Sequence, residues 1–226
     1  MILALARPLS LVAGLVLVMA ACAPTGASSG PSAVPTGAAG SPGPVGDDCP
    51  ASQPPALPAG ETRDVTIATF AGDMVLHIEA DLSPIAAGNF VALADCGFYD
   101  GVVFHRVVPG FVIQGGDGEH GRDPNVDPSR VGTGGPGYTI RDEPVTATYS
   151  RGVVAMARSS QPNSVGSQFF IVLDDEARGS LADANTYQII GSVTAGMETA
   201  DAIAGLADAE IPSEPVVMTD VSVATP

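Results

Sequence analysis

The chain has 226 residues, of which 25 are acidic and nine, all of them arginine, are basic. The resulting net charge of −16 at pH 7 repels phosphate backbones, so nucleic acid is excluded as a favoured partner, although an acidic surface can also serve solubility alone. Hydrophobic residues make up 45% of the chain, which is enough for a core, and the segments at the N-terminus leave room for one domain.

Residues 1–21 have the pattern of a lipoprotein signal peptide. Arg7 is followed by an apolar run over residues 9–18, which is too short for a stable transmembrane helix. Two alanines at 20–21 then precede Cys22, the residue that would carry the lipid and become the mature N-terminus. The pattern predicts an extracytoplasmic protein anchored by lipid to a bacterial membrane. A plain secretory signal with an incidental cysteine is the alternative.

Residues 22–60 are dominated by Ala, Gly, Pro, Ser and Thr and have no hydrophobic periodicity that could build a core. We interpret this stretch as a tether, disordered over most of its length, between the anchor and the folded domain. About 25 flexible residues would hold the domain roughly 25 to 30 Å from the bilayer.

Cys49 and Cys96 remain once Cys22 carries lipid. Thiols outside the cytoplasm tend to pair, and a bridge would close a loop worth roughly 4 kcal/mol at most on the chain-entropy model. We predict this disulfide. The alternative is a buried free Cys96 and an unpaired Cys49.

The folded domain is predicted over residues 61–226. Alternating residues on either side of a turn at 71–73 indicate a hairpin, and Ser83 followed by Pro84 indicates the start of a helix that stops at Gly97. Short strands are predicted at 102–108, 111–115, 153–157, 168–173, 187–193 and 216–223, and a second helix at 197–206. Many short strands with two separated helices favour a mainly β fold, a closed eight-stranded antiparallel barrel capped by two helices.

The stretch Phe104–Asp117 is where a cation, an aromatic ring and an amide lie within β-branched sequence. Strand alternation places His105 and Arg106 on opposite faces. After the break at Pro109-Gly110, the same counting places Phe111 with Ile113, on the face opposite to Gln114. The expectation is that Arg106, Phe111 and Gln114 gather around one shallow pocket.

Several blocks in this chain resemble those of cyclophilins, the peptidyl-prolyl cis-trans isomerases, and they occur in family order over roughly residues 64 to 205. The blocks are Asn89–Leu93, Gly97–Gly101, Phe104–Asp117, Gly132–Tyr138, Met156–Arg158 and Gly166–Ile171. The resemblance implies eight strands and two helices, isomerase activity on X-Pro bonds, and no cofactor or metal.

The resemblance also implies the roles of individual residues. Arg106, Phe111 and Gln114 would be catalytic, with Arg106 donating to the proline nitrogen. The substrate-binding residues would be Val112, Ala157, Arg158, Gln168, Phe170, Leu181 and Tyr187. Gln114 and Gln168 would hold the peptide backbone and help to orient Arg106. Val112, Arg158 and Tyr187 stand where the best-studied cyclophilins have methionine, asparagine and histidine.

Each of these residues also has a simpler interpretation. Arg106 could be a surface ion-pair residue of an acidic protein, and Phe170 or Leu181 could belong only to the core. For the whole chain we predict an isomerase that assists the folding of exported proteins by acting on their proline-containing segments, as a monomer. The alternatives are a proline-peptide-binding chaperone or scaffold with little turnover, and a structural envelope lipoprotein.

Overall fold

The computed structural model describes residues 48–184 and 186–224. The predicted signal peptide, Cys22 and the tether up to residue 47 lie outside the described residues. Within the described part of the chain, no helix is both long enough and apolar enough to cross a membrane.

In the part of the chain that the structure describes, eight strands and three α-helices form the domain. The strands are β1 (Thr62–Thr69), β2 (Gly72–Glu79), β3 (Phe104–Val108), β4 (Val112–Gly115), β5 (Val153–Met156), β6 (Phe169–Val172), β7 (Ile189–Ala195) and β8 (Asp220–Val223). The helices are α1 (Pro84–Asp95), α2 (Arg178–Ala184) and α3 (Met197–Leu206), with a 3₁₀ turn at Asp175–Ala177 before α2.

The strands make one antiparallel sheet in the order β3-β4-β6-β5-β7-β2-β1-β8. The prediction of a mainly β fold with eight antiparallel strands is confirmed, and the sheet curls into a half-barrel around a core. Closure of the barrel is not confirmed: within the described residues β3 and β8 share no ladder, and the edges meet through an isolated bridge between Val103 and Val217.

Alternation along the strands separates two hydrophobic clusters. The main core lies inside the curl and takes side chains such as Val65, Ile67 and Leu76, together with Phe90 of α1. The other face of β4, β5 and β6 carries a second cluster, which includes Phe170. Because successive side chains point to opposite faces, one strand can contribute to both clusters.

Helix α1 begins at Pro84, as the Ser83-Pro84 signal predicts, but Ser83 does not cap it through its side chain. The carboxylate of Glu143 accepts hydrogen bonds from the backbone N–H groups of Ile85 and Ala86, both at 2.9 Å. A carboxylate at this end of a helix satisfies unpaired donors and is favoured by the helix dipole. The cap therefore comes from a residue 58 positions away in sequence.

The prediction of two helices was wrong by one, because α2 lies between the strands predicted at 168–173 and 187–193, where no helix was predicted. Its sequence contains Gly179, Ser180 and Asp183, and Leu181 is its one buried residue. A helix with a single buried residue has no hydrophobic stripe for sequence analysis to detect.

The last residues of the predicted tether pack against the domain. Cys49 and Cys96 are joined by a disulfide bond with an S–S distance of 2.04 Å. Leu57 is buried, and its backbone N–H donates to the carbonyl of Pro84 at 2.9 Å. Contacts of the described chain with α1 therefore begin before residue 61.

Candidate active site

A row of side chains crosses β3, β4, β6 and β5 on the outward face of the sheet. Arg106 lies opposite Gln114, Gln114 lies opposite Phe170, and Phe170 lies opposite Ala155. Directly paired residues in antiparallel strands point to the same face, so the cation, the amide and the aromatic ring are neighbours. The pairing places three of the predicted site residues side by side.

Phe111 does not follow the alternation that we expected. It lies in the turn before β4, and its backbone N–H donates to the carbonyl of Val108 at 2.9 Å. Its side chain packs against the outward cluster with Val112, whereas Ile113 belongs to the main core. The prediction that Phe111 and Ile113 share a face was wrong, because the turn interrupts the two-residue period before the strand begins.

The outward cluster contains the apolar side chains among the predicted catalytic and substrate-binding residues. Phe170, Val112 and Leu181 are buried in it, and Phe111 and Tyr187 pack against its margin. The ring of Tyr187 meets that of Phe170 edge to face at a centroid distance of 5.3 Å. Leu181 reaches this cluster from α2, so the helix that sequence analysis missed covers one side of it.

Tyr149 belongs to the same cluster, although no sequence motif singled it out. Its hydroxyl donates to the backbone carbonyl of Tyr187 at 2.9 Å and accepts from the backbone N–H of the same residue at 3.2 Å. Burial raises the pKa of the Tyr149 phenol, so it stays a neutral donor at physiological pH. Tyr149 thereby fixes the backbone that carries Tyr187.

The two predicted glutamines bind each other and the glycine-rich loop, residues 132–138. Gln114 Nε2 donates to Gln168 Oε1 at 3.0 Å, and Gln168 Nε2 donates to the carbonyl of Gly134 at 2.8 Å. We expected them to orient Arg106 as well. The hydrogen bond that the Arg106 side chain makes among the described residues goes instead from Nε to Glu210 Oε1, at 2.7 Å.

A cavity of about 650 Å³ opens beside this row, on the side of the glycine-rich loop. Gln114, Gln168, Ala157 and Arg158 line it, whereas Arg106, Phe111 and Phe170 do not. The cavity therefore adjoins the apolar cluster and does not lie between its members. The site therefore has polar groups on one side and the apolar cluster on the other.

Arg158 has its charge satisfied within the protein. Its guanidinium donates to the carbonyls of Ser159 and Gln161 and forms an ion pair with Asp142 at 3.0 Å. Its side chain is 9% exposed. Arg158 therefore holds the 159–164 loop at the rim of the cavity and has few donors left to offer a ligand.

His105 is buried next to Arg106, where the pairing of β3 with β4 shifts by one residue. Burial is the main influence on its ring and outweighs the nearby Asp117 carboxylate, so the pKa of His105 is lowered and the ring is neutral near pH 7. Among the described residues, no group of three or more His, Cys, Asp or Glu side chains could hold a metal ion.

Comparison with known proteins decides the family. The cyclophilin type peptidyl-prolyl cis-trans isomerase/CLD family matches residues 64–223. This chain belongs to the cyclophilin family. It catalyses the cis-trans isomerisation of peptidyl-prolyl bonds, as the resemblance implies.

Three bacterial relatives show how far the similarity extends. A probable peptidyl-prolyl cis-trans isomerase of Brucella abortus (strain 2308) is 43% identical over 141 residues, which cover 62% of this chain and 70% of the relative. Peptidyl-prolyl cis-trans isomerase A of Dickeya dadantii is 33% identical, and the alignment covers 73% of this chain and 86% of the relative. Peptidyl-prolyl cis-trans isomerase B of Bacillus subtilis is 44% identical, and the alignment covers 54% of this chain and 80% of the relative.

Two solved structures of a Cryptosporidium parvum cyclophilin type isomerase share the fold. One aligns with a TM-score of 0.60 at 29% identity and covers 74% of this chain and 99% of its own. The other was determined in the presence of the dipeptide Ala-Pro. It aligns with a TM-score of 0.59 at 30% identity and covers 72% of this chain and 99% of its own.

Proposed function

We propose that Arg106 is the catalytic residue of this isomerase. Resonance between nitrogen and carbonyl makes the X-Pro bond slow to rotate, and the nitrogen lone pair becomes a good acceptor only when the bond is twisted. A guanidinium that donates to this nitrogen stabilises the transition state more than the planar ground state. The placement of Arg106 in one row with Gln114 and Phe170 is the observation that carries this proposal.

The apolar cluster beside Arg106 would receive the proline ring. The half-buried rings of Phe111 and Tyr187 offer an aromatic surface with no charge of its own, and the buried side chains of Val112, Phe170 and Leu181 lie behind it. The planar amide is more charge-separated than the twisted one, so an apolar surface disfavours the ground state more than the transition state. This term adds to the contribution of the guanidinium.

The cavity beside the row would hold the peptide on the N-terminal or C-terminal side of the proline. Gln114 and Gln168 fix each other, so their remaining amide groups face a bound backbone with little freedom to rotate. Ala157 and Arg158 form the adjoining wall. This chemistry requires correctly placed donors and an apolar surface, and no nucleophile.

The experiment that tests the proposal compares Arg106→Ala with the wild type in the full-length protein. A hydrogen bond from a charged donor is worth about 1.5 to 3 kcal/mol, so kcat/KM for an Ala-Pro peptide should fall roughly tenfold to a hundredfold, while peptide affinity is largely kept. Arg63→Ala is the matched control, because Arg63 also lies on a strand and pairs with a carboxylate, that of Glu61 at 2.6 Å. Wild-type turnover in Arg106→Ala would refute the assignment and favour a binding module.

We further propose that the substrates are exported proteins and that the enzyme works as a monomer held to a bacterial membrane by lipid on Cys22. The signal pattern in residues 1–21 supports the export and the anchor. The disulfide between Cys49 and Cys96 also supports an extracytoplasmic site, because such bonds persist in oxidising compartments.

A further inference from the structure

The Arg106 side chain forms its hydrogen bond with Glu210, which belongs to none of the sequence motifs and does not line the cavity. Glu210 lies in the segment that follows α3 and accepts from Arg106 Nε through Oε1 at 2.7 Å. Its backbone carbonyl accepts from the N–H of Val107, the next residue of β3, at 2.8 Å. Glu210 is therefore attached to β3 twice, once through its backbone and once through its carboxylate.

The segment around Glu210 has its own support. The carboxylate of Asp208 accepts from the backbone N–H of Ser213 at 2.9 Å and from the Ser213 hydroxyl at 2.6 Å. Pro212 between them is buried. The backbone of this turn is therefore fixed without the side chain of Glu210, and truncation of that side chain should leave the turn in place.

The ion pair is too exposed to be important for stability. The side chains of Arg106 and Glu210 are 34% and 62% exposed, and ion pairs in water contribute little to folding. Its effect is on geometry. An arginine side chain has several rotatable bonds, and a carboxylate bound to Nε fixes the plane of the guanidinium.

The position of that bond matters for the reaction. Nε is occupied by Glu210, whereas neither terminal nitrogen of Arg106 has a hydrogen-bond partner in the part of the chain that the structure describes. Gln114 and Gln168 use their mutual bond and the bond to Gly134, so they do not hold the guanidinium. The terminal N–H groups remain available to a substrate on the outward face.

We propose that Glu210 is the positioning residue of this isomerase: its carboxylate holds Nε so that the terminal nitrogens of Arg106 are aimed at the prolyl nitrogen of a bound peptide. This inference rests on the catalytic role proposed for Arg106. It assigns the orientation of the guanidinium to the segment after α3 and not to the glutamines of the pocket.

The test compares Glu210→Ala and Glu210→Gln in the full-length protein with an Ala-Pro peptide. Glutamine keeps an oxygen acceptor at the same reach, so Glu210→Gln should retain kcat within about twofold. Alanine releases the rotamers of Arg106, so Glu210→Ala should lower kcat roughly three- to tenfold with little change in KM. Glu214→Ala removes an exposed carboxylate from the same segment and should match the wild type.

Two further measurements separate this inference from the proposal on which it rests. The urea midpoints of all variants should agree, and Arg106→Ala/Glu210→Ala should show the same residual kcat/KM as Arg106→Ala. If Arg106→Ala loses activity while Glu210→Ala does not, the positioning role alone is overturned. A higher kcat/KM in Glu210→Ala would also overturn it, because the carboxylate would then compete with the substrate. Wild-type activity in Arg106→Ala would overturn both.

Discussion

Asp117 shows how one buried carboxylate can organise a loop of the active site. Its two oxygens accept from four backbone N–H groups, at distances of 2.7 to 3.1 Å, those of Glu119, His120, Gly132 and Gly134. The carbonyl of Gly134 in turn accepts from Gln168. The carboxylate is thus linked through the glycine-rich loop to the glutamines that line the cavity.

This arrangement predicts an acid-sensitive stability. Burial alone would raise the pKa of Asp117, but the four backbone donors outweigh it and hold the pKa below its ordinary value. A lowered pKa in the folded state stabilises the protein above the unfolded-state pKa of about 4, and this contribution is lost as the pH falls through the folded-state pKa.

Asp117→Asn should lower the free energy of unfolding at pH 7 by roughly 3 kcal/mol, because the amide leaves buried N–H groups without an acceptor. The difference from the wild type should shrink as the pH falls below about 4. Urea unfolding of both proteins between pH 7 and pH 3 measures this. Asp183→Asn is the control, because Asp183 is an exposed carboxylate of α2 whose side chain makes no hydrogen bond among the described residues, and its difference from the wild type should stay small at every pH. A constant difference across the pH range would contradict the account.

Residue types in the site could be predicted from the sequence, whereas their partners could not. Strand alternation, a local pattern, decides which face each of Arg106, Gln114 and Phe170 takes, whereas the pairing of their strands brings the three side by side. Glu210 is 104 residues from Arg106, and nothing in the segment 207–215 marks it as different from other exposed acids of an acidic protein. Their contact follows from how the segment after α3 packs against β3.

At the scale of elements, the start of α1 depends on a local sequence signal and on a distant side chain. Ser83 followed by Pro84 predicts the first residue of the helix, and Pro84 is that residue. The bonds that satisfy the first turn come from Glu143, while the Ser83 hydroxyl is buried without a partner among the described residues. A local signal therefore sets the boundary, and a distant side chain stabilises it.

Two substitutions distinguish these contributions. Glu143→Ala should lower the free energy of unfolding by about 2 kcal/mol, because two backbone donors of the first turn lose a charged acceptor. Ser83→Ala should change it by less than about 0.5 kcal/mol, because its hydroxyl makes no capping bond. Urea denaturation at pH 7 measures both. Equal losses would mean that the Ser83 hydroxyl caps the helix after all.

Most of the strands that could be predicted from the sequence bury several side chains each, whereas the helix α2, which was not predicted, buries one. All eight strands were located because β-branched and aromatic residues mark them, although β8 is shorter than predicted. The first hairpin turns at Phe70 and Ala71, so Phe70 lies 73% exposed at the tip and not in the strand. Helix α2 was missed because Leu181 is its single buried residue.

At the scale of the whole molecule, the predicted lipid anchor comes first along the chain, then the disulfide at Cys49, and then the folded domain. The disulfide attaches Cys49 to the end of α1, and Leu57 packs against the start of the same helix. The first described residues are therefore attached to both ends of α1.

The proposed lipid anchor predicts in which cell fraction the protein is found. Wild-type protein should fractionate with membranes, and Cys22→Ser should appear in the soluble extracytoplasmic fraction, because the proposed lipid attachment site is removed. Immunoblots of membrane and soluble fractions measure this. Cys49→Ser/Cys96→Ser is the matched control, since it also removes cysteine but leaves the anchor. Soluble wild-type protein would support the plain secretory alternative.

The sequence by itself determined the family, the eight strands, the boundaries of α1 and α3, and the residue types of the site, because these depend on short patterns and local backbone preference. Only the tertiary structure decided which residues touch across long separations: Glu210 with Arg106, Glu143 with the start of α1, and α2 over the apolar cluster. The reason is physical. Local patterns fix the direction of a side chain, whereas its partner is fixed by the packing of distant segments.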